Sequence, residues 1–350
     1  MGDELFREGG EHDIRRTGSD KYSMRINLPP DSEGMLAREC PSDRCSPAYF
    51  KVKLGTGITG GQTEAFCPYC AYRGEPGDFH TEAQVEYAKQ IVVHEAQDGV
   101  GRMVKDALDL GPTGKRKSSG GLLSIELSYE PGSRPPVRRP FGEELRRDVT
   151  CPICGLQHAV FGIATWCPDC GKDIFLRHVA REYEVLRLML ADVDNRRERL
   201  GPRVATRDIE NALEDVVSIF EAVLRAITRR RLSQSLSDNE VEDILKKRVA
   251  NKYQSIDLAG PTALKVLGVV LFQSLNADEI ETLRLTFEKR HPITHNLGVV
   301  DRKYLEKASS GELEGREVRV TAQDVSYAID LTARVMKDIY PKAFPTAVTL

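Results

Sequence analysis

The sequence predicts a multidomain protein with two small β-hairpin modules, each built on four cysteines, followed by an all-α bundle. Three observations carry this reading. All eight cysteines fall in close pairs, and the last of them is Cys170. Beyond them, apolar residues recur at the helical period. The length, 350 residues, suits two or three domains.

Composition sets the outer bounds. Lys and Arg number 50 against 53 Asp and Glu, a formal net charge of -3. That balance excludes a protein that coats nucleic acid by bulk charge, though local basic patches still can bind it. Residues 1–34 are polar and lack the apolar core of a secretory signal. The apolar stretch Gly268 to Phe272 is far below the ~20 residues a bilayer span needs. The expectation is a cytoplasmic protein with no membrane partner, in a compartment where paired cysteines bind metal rather than form disulfides.

Five segments follow in order. Residues 1–34 read as a flexible arm, with Gly9-Gly10 and Pro29-Pro30 and no helical period. Residues 35–110 hold the first cysteine module and a helix after it. Here Tyr49 to Leu54 alternates as a strand, and Thr81 N-caps a helix with Val85, Ala88, Ile91 and Val92 on its apolar face. Residues 111–148 form a basic, Gly- and Pro-rich connector, with one strand expected between Leu122 and Tyr129. Residues 149–176 hold the second module. Residues 177–345 are helical: expected helices span 179–200, 207–230 with Thr206 as cap, 238–249, 261–274 and 277–289. A last helix opens on Thr321-Ala-Gln-Asp324, which is spaced as a capping box.

The cysteine spacing carries chemistry. Cys151-Pro-Ile-Cys154 with Cys167-Pro-Asp-Cys170 is a pair of knuckles. Four thiolates at such spacing suit the tetrahedron that Zn²⁺ prefers. A short hairpin is expected between them, Gly155 to Phe161 out and Ile163 to Trp166 back. Cys40-Pro-Ser-Asp-Arg-Cys45 with Cys67-Pro-Tyr-Cys70 repeats the idea with one looser knuckle. A redox dithiol or a rubredoxin-like iron site fits the same spacing, and spacing alone leaves open which pairs share an ion. Two structural Zn²⁺ ions, one per module, are the expectation. Four protein ligands leave no position for water, so no catalytic metal is expected.

Two further features bear on function. The first is basic: Lys115, Arg116, Lys117, Arg138, Arg139, Arg146 and Arg147 lie between the knuckle pairs. Phe50, Phe66, Tyr69, Tyr72 and Trp166 offer stacking faces near them. These suit nucleic-acid binding, or equally a solvated linker and small-core aromatics. The second is Arg290-His-Pro-Ile-Thr-His295. His291 and His295 stand i,i+4 and share a helix face. Pro292 demands that a helix break near Arg290 and restart with the proline in its first turn. Arg290 and His295 would then flank a helix N-terminus, a natural phosphate site. An arginine that clamps phosphate, beside a histidine that titrates near neutrality, is a minimal kit for cutting a phosphodiester.

This stretch, with its continuation Asn296-Leu-Gly-Val-Val-Asp301-Arg-Lys-Tyr304, resembles the R-x4-6-H motif of the HEPN superfamily. The resemblance covers about 177–345. Pro292 departs from the family pattern, and the cysteine modules lie outside it. What it implies is a metal-independent endoribonuclease that works as a homodimer. His295 would be the general acid/base for attack of the RNA 2′-OH on its own phosphate. Arg290 would stabilise the developing phosphoryl charge, and His291 would orient the phosphate or assist proton transfer. The class also implies a toxin or anti-phage defence effector. Domain order, not the resemblance, gives the zinc ribbons the expected role of recognising nucleic acid or a regulatory partner. The alternative is a non-catalytic RNA-, nucleotide- or protein-binding adaptor held by structural zinc.

Overall fold

A computed structural model describes residues 5–19, 21–59, 62–111, 114–120, 123–130, 132, 136–140, 142, 144, 147–308 and 311–345. The chain forms a small β region carrying two four-cysteine groups, followed by a mostly helical part. It divides into two compact units. One comprises Met1–Cys67, Tyr72–Thr150 and Cys154–Phe161; the other comprises Pro68–Ala71, Cys151–Ile153 and Gly162–Leu350.

In the first unit the arm is not featureless. β1 (Arg15–Arg16) pairs with β2 (Tyr22–Ser23), and Ile14 beside them is buried. The main sheet has four antiparallel strands in the order β3 (Met35–Glu39), β4 (Tyr49–Lys53), β10 (Gln157–Val160), β9 (Arg147–Thr150). It consists of two hairpins lying edge to edge. Cys40 and Cys45 lie in the connection between β3 and β4; Cys151 and Cys154 lie in that between β9 and β10. This corrects the expected second hairpin. Gln157–Val160 pairs with the strand before its knuckle and with β4, while Trp166 bridges only Asp173. The reason is that a knuckle is itself a tight turn, so the strands flanking it pair with each other. β5 (Ala65–Phe66) and β6 (Arg73–Gly74) flank Cys67 and Cys70 in the same way.

The helix α1 (Glu82–Ala107) starts where expected. Thr81 Oγ1 accepts from Gln84 N at 3.2 Å, and the Gln84 side chain returns the bond to Thr81 N. Its buried face differs from the expectation. Val85 and Val92 point to solvent, and Gln84, Ile91, Gly99 and Gly101 are buried. Two local contacts set this rotation: Gln84 Nε2 donates to Ala37 O on β3, and Leu5 backbone runs so close to Gly99 that no Cβ fits. The connector holds a second strand that the sequence reading missed: β7 (Lys115–Gly120) pairs with β8 (Leu123–Ser128).

In the second unit α2 (Phe175–Ala191) and α3 (Val193–Leu200) replace one expected helix, interrupted at Asp192. α4 (Pro202–Leu232) begins before Thr206. Gly201, with φ 95°, supplies the non-helical entry and Pro202 takes the first helical position. Thr206 is therefore inside the helix, its hydroxyl donating to Pro202 O, and Asp208 pairs with Arg196 at 2.8 Å. α5 (Asp238–Ile244) runs into a π-turn, Leu245–Val249, and a 3₁₀ turn, Lys252–Gln254. Next come α6 (Ile256–Leu267), α7 (Ala277–Glu288), α8 (Arg290–His295), α9 (Arg302–Ala308) and α10 (Ala322–Ala343). α6 stops at Gly268, in the left-handed conformation at φ 71°. The capping box of α10 is as read: Asp324 N donates to Thr321 Oγ1 at 3.1 Å, and Thr321 N donates to Asp324 Oδ2 at 3.0 Å.

One continuous core gathers these helices around α4, whose Leu213, Val216, Val217, Phe220 and Leu224 are all buried. The Phe220 ring stands edge-on to Phe287, centroids 5.5 Å apart, and stacks toward Phe272. Among the described residues, no helix is long and apolar enough to cross a membrane.

Candidate functional site

The eight cysteines form two groups, Cys40, Cys45, Cys67, Cys70 and Cys151, Cys154, Cys167, Cys170. Within each group the four sulfurs lie within 4.8 Å of one another. This resolves the pairing the spacing left open. Sulfurs at the corners of a tetrahedron, ~2.3 Å from a central ion, stand about 3.8 Å apart. Cys45 and Cys67 Sγ are 3.5 Å apart, and Cys151 and Cys170 Sγ 3.8 Å. Each group therefore fits one ion. The donors are all soft thiols with no carboxylate or imidazole, a set that excludes hard oxygen-seeking cations. Burial pushes the Cys167 thiol up, with the neighbouring Cys151 and Cys170 adding to it. A bound cation reverses that by stabilising the thiolates.

The backbone around the C-x-x-C turns repeats. Cys67 N donates to Tyr72 O at 2.8 Å, and Cys167 N to Lys172 O at 2.9 Å. The residue after each turn is left-handed: Ala71 at φ 61°, Gly155 at 78° and Gly171 at 64°. The second knuckle is tied to the helices of its own unit. Asp173 Oδ2 accepts from Arg230 Nη1 at 2.8 Å and from Tyr340 Oη at 2.7 Å. The Arg230 guanidinium lies over Trp166 and Phe344, 4.8 and 4.2 Å from the ring centres. Trp166 is thus packed beneath a cation rather than free for a base, and Phe50 is core.

The second candidate cluster is on α8. The chain leaves α7 at Glu288, turns once at Lys289 and re-enters helix at Arg290, so the break falls where Pro292 requires. Pro292 and Ile293 are buried and fix the helix against the core. His291 and His295 share a face, ring centroids 5.2 Å apart. The expected anion-binding N-terminus is not formed. Arg290 opens α8 and His295 closes it, so the two stand at opposite ends of a six-residue helix rather than together at its start. Pro292, third in the helix, has no N–H to offer an anion.

Partners from distant elements hold these side chains. Arg290 Nη1 donates to Gln254 Oε1 at 2.9 Å, and Gln254 Nε2 donates to Glu221 Oε2 on α4 at 2.6 Å. Thr294 Oγ1 donates to Glu214 Oε1 at 2.9 Å. His291 Nε2 faces Asp301 Oδ2 at 3.8 Å. Burial holds His291 below the ordinary histidine range, with Lys303 adding to it and Asp301 opposing. His295 is exposed. Sequence reasoning missed Gln254, Glu221 and Glu214, for which no local signal exists. Asp301 was visible only as part of the motif's tail.

The basic connector is more neutral than its sequence. Arg116 Nη1 pairs with Asp109 at 3.2 Å, and Lys117 Nζ lies 3.5 Å from Glu126 across the hairpin. Lys115, Arg138 and Arg139 are exposed, and Arg147 Nη1 donates to Phe161 O. Arg146 lies outside the described residues. No protein-family model matches the chain, and no curated protein and no solved structure matches it.

Proposed function

We propose that the protein is a HEPN-like, metal-independent endoribonuclease, with two structural Zn²⁺ ions in its four-cysteine groups. The observation that carries this is the α8 cluster: two imidazoles on one helix face beside an arginine tethered by Gln254. In this reading His295 moves the proton of the RNA 2′-OH as that oxygen attacks the adjacent phosphorus. The P–O5′ bond breaks, leaving a 2′,3′-cyclic phosphate and a 5′-OH. His291, whose proton affinity is lowered by burial, relays that proton to the departing O5′, which leaves as the 5′-OH. Arg290 stabilises charge on the phosphoryl oxygens. A homodimer completes the cleft, in a cytoplasmic toxin or anti-phage effector whose ribbons read a nucleic-acid or protein trigger.

One observation favours a second reading, a non-catalytic RNA- or protein-binding adaptor. Arg290 is engaged by Gln254, which holds it as a structural group would. Incubating the full chain with total RNA and a brief EDTA exposure separates the two. The proposal expects 2′,3′-cyclic ends that disappear in both Arg290→Ala and His295→Ala. Cleavage that survives both changes overturns the Arg290/His295 site, and the absence of any cleavage leaves the adaptor.

A further inference from the structure

The segment that supplies Gln254 has an unusual backbone. Leu245–Val249 is a π-turn, and Ala250 after it sits at φ 47°, ψ -122°. That region suits glycine, and an alanine there is strained. Single π-turns of this kind cluster at functional sites. The surroundings hold the strain in place. Ala250 N donates to Leu245 O at 2.9 Å, Arg225 Nη1 donates to Ala250 O at 2.6 Å, and Lys252 Nζ donates to Arg248 O at 2.7 Å. Leu245, Val249 and Tyr253 are buried on the inner side, and the Tyr253 hydroxyl is 2.8 Å from Thr228 Oγ1.

The outer side of the same turn is Lys246, Lys247 and Arg248, all exposed. Lys247 pairs with Asp243 at 2.5 Å. Among the described residues, Lys246 and Arg248 have no carboxylate within ion-pair distance. The three cations ride on a turn whose exit leads through Lys252 to Gln254, the residue bonded to Arg290.

We propose that the Lys246–Arg248 turn is a docking surface for the phosphate backbone of single-stranded RNA, placing the strand on the path that leads to Arg290. This rests on the ribonuclease reading for the fate of the strand, but not for its binding. Three features point to RNA rather than an acidic protein. Three exposed cations are grouped on one turn with a carboxylate paired to Lys247, which leaves a net positive charge there. No exposed apolar side chain interrupts them. The path they define ends on the arginine expected to meet a phosphate.

The test uses the full chain in the His295→Ala background, a fluorescein-labelled single-stranded RNA of mixed sequence, and polarisation across a salt series. Adding Lys246→Gln and Arg248→Gln should weaken binding and flatten the slope of log K against log salt by about 0.7 per cation removed. Neutralising Lys115, Arg116 and Lys117 instead should leave the slope nearly unchanged. Melting temperature and metal content should be unaltered in both. An unchanged slope in the Lys246/Arg248 variant overturns the proposal. So does a slope that falls only in the Lys115–Lys117 variant, or competition by polyglutamate as strong as by RNA. If the slope shifts but wild-type protein cuts nothing, the docking surface stands and the ribonuclease reading fails.

Discussion

The two parts of the chain hold themselves together by different physics. The helical part has a single large core in which Phe220, Leu213, Leu224, Val335 and Ile339 are fully enclosed. The four-stranded sheet buries a smaller set, Met35, Tyr49 and Ala159 on one face and Leu36, Phe50, Val149 and Val160 on the other. A core of that size gains from staples, and the four-cysteine groups are placed to supply them. The helices rest on the hydrophobic effect alone, whereas an ion in each four-cysteine group would add metal–thiolate bonds to a smaller apolar core, so the two parts should fail under different insults.

The sharpest way to break that contrast is metal removal. Prolonged chelation should release binding free energy on the order of 10 kcal/mol and unfold the sheet. Hydrogen exchange should then show β3, β4, β9 and β10 losing protection while the middle of α4 keeps it. Equal loss in α4 would mean that the helices also depend on the ions. The converse experiment is Phe220→Ala. It removes a ring that contacts Phe272 and Phe287 and should cost about 3–5 kcal/mol. Denaturant melts should report that loss while metal content measured before the transition stays the same.

The smallest effect compares the two knuckles with each other. Ala71 and Gly171 occupy equivalent left-handed positions. Ala71→Gly should stabilise the first module, and Gly171→Ala should destabilise the second, each by about 1 kcal/mol. Competition with a zinc chelator reads both as opposite shifts in metal affinity. Shifts of the same sign would show that the knuckles are not equivalent.

Local signals were legible in the sequence and non-local ones were not. Cysteine spacing located both metal groups, because a knuckle is set within a few residues. The Thr321–Asp324 box and the break ahead of Pro292 were readable for the same reason. The α1 face was misread because Val85 and Val92 look like a core stripe, while a glutamine bond to Ala37 and a backbone contact at Gly99 decide the rotation. Thr206 looked like a cap because threonine caps helices well, while the nearer signal, Pro202 at the first helical position after Gly201, was overlooked. At α8 the arginine and both histidines were visible in sequence, but the arginine's tether comes from Gln254, whose place beside Arg290 only the tertiary fold defines.

The pairing of β4 with β10 also has a consequence for how the chain is made. Phe50 meets Val160, and everything between them, including α1 and the β7–β8 hairpin, is an insertion within that one ladder. During synthesis β4 has β3 on one side and an open edge on the other until β10 emerges. Loop closure over such a span is entropically slow, and an unpaired edge invites pairing with another chain. A nascent chain stalled before Gln157 should therefore be prone to self-association, and one extended past Val160 should lose that tendency.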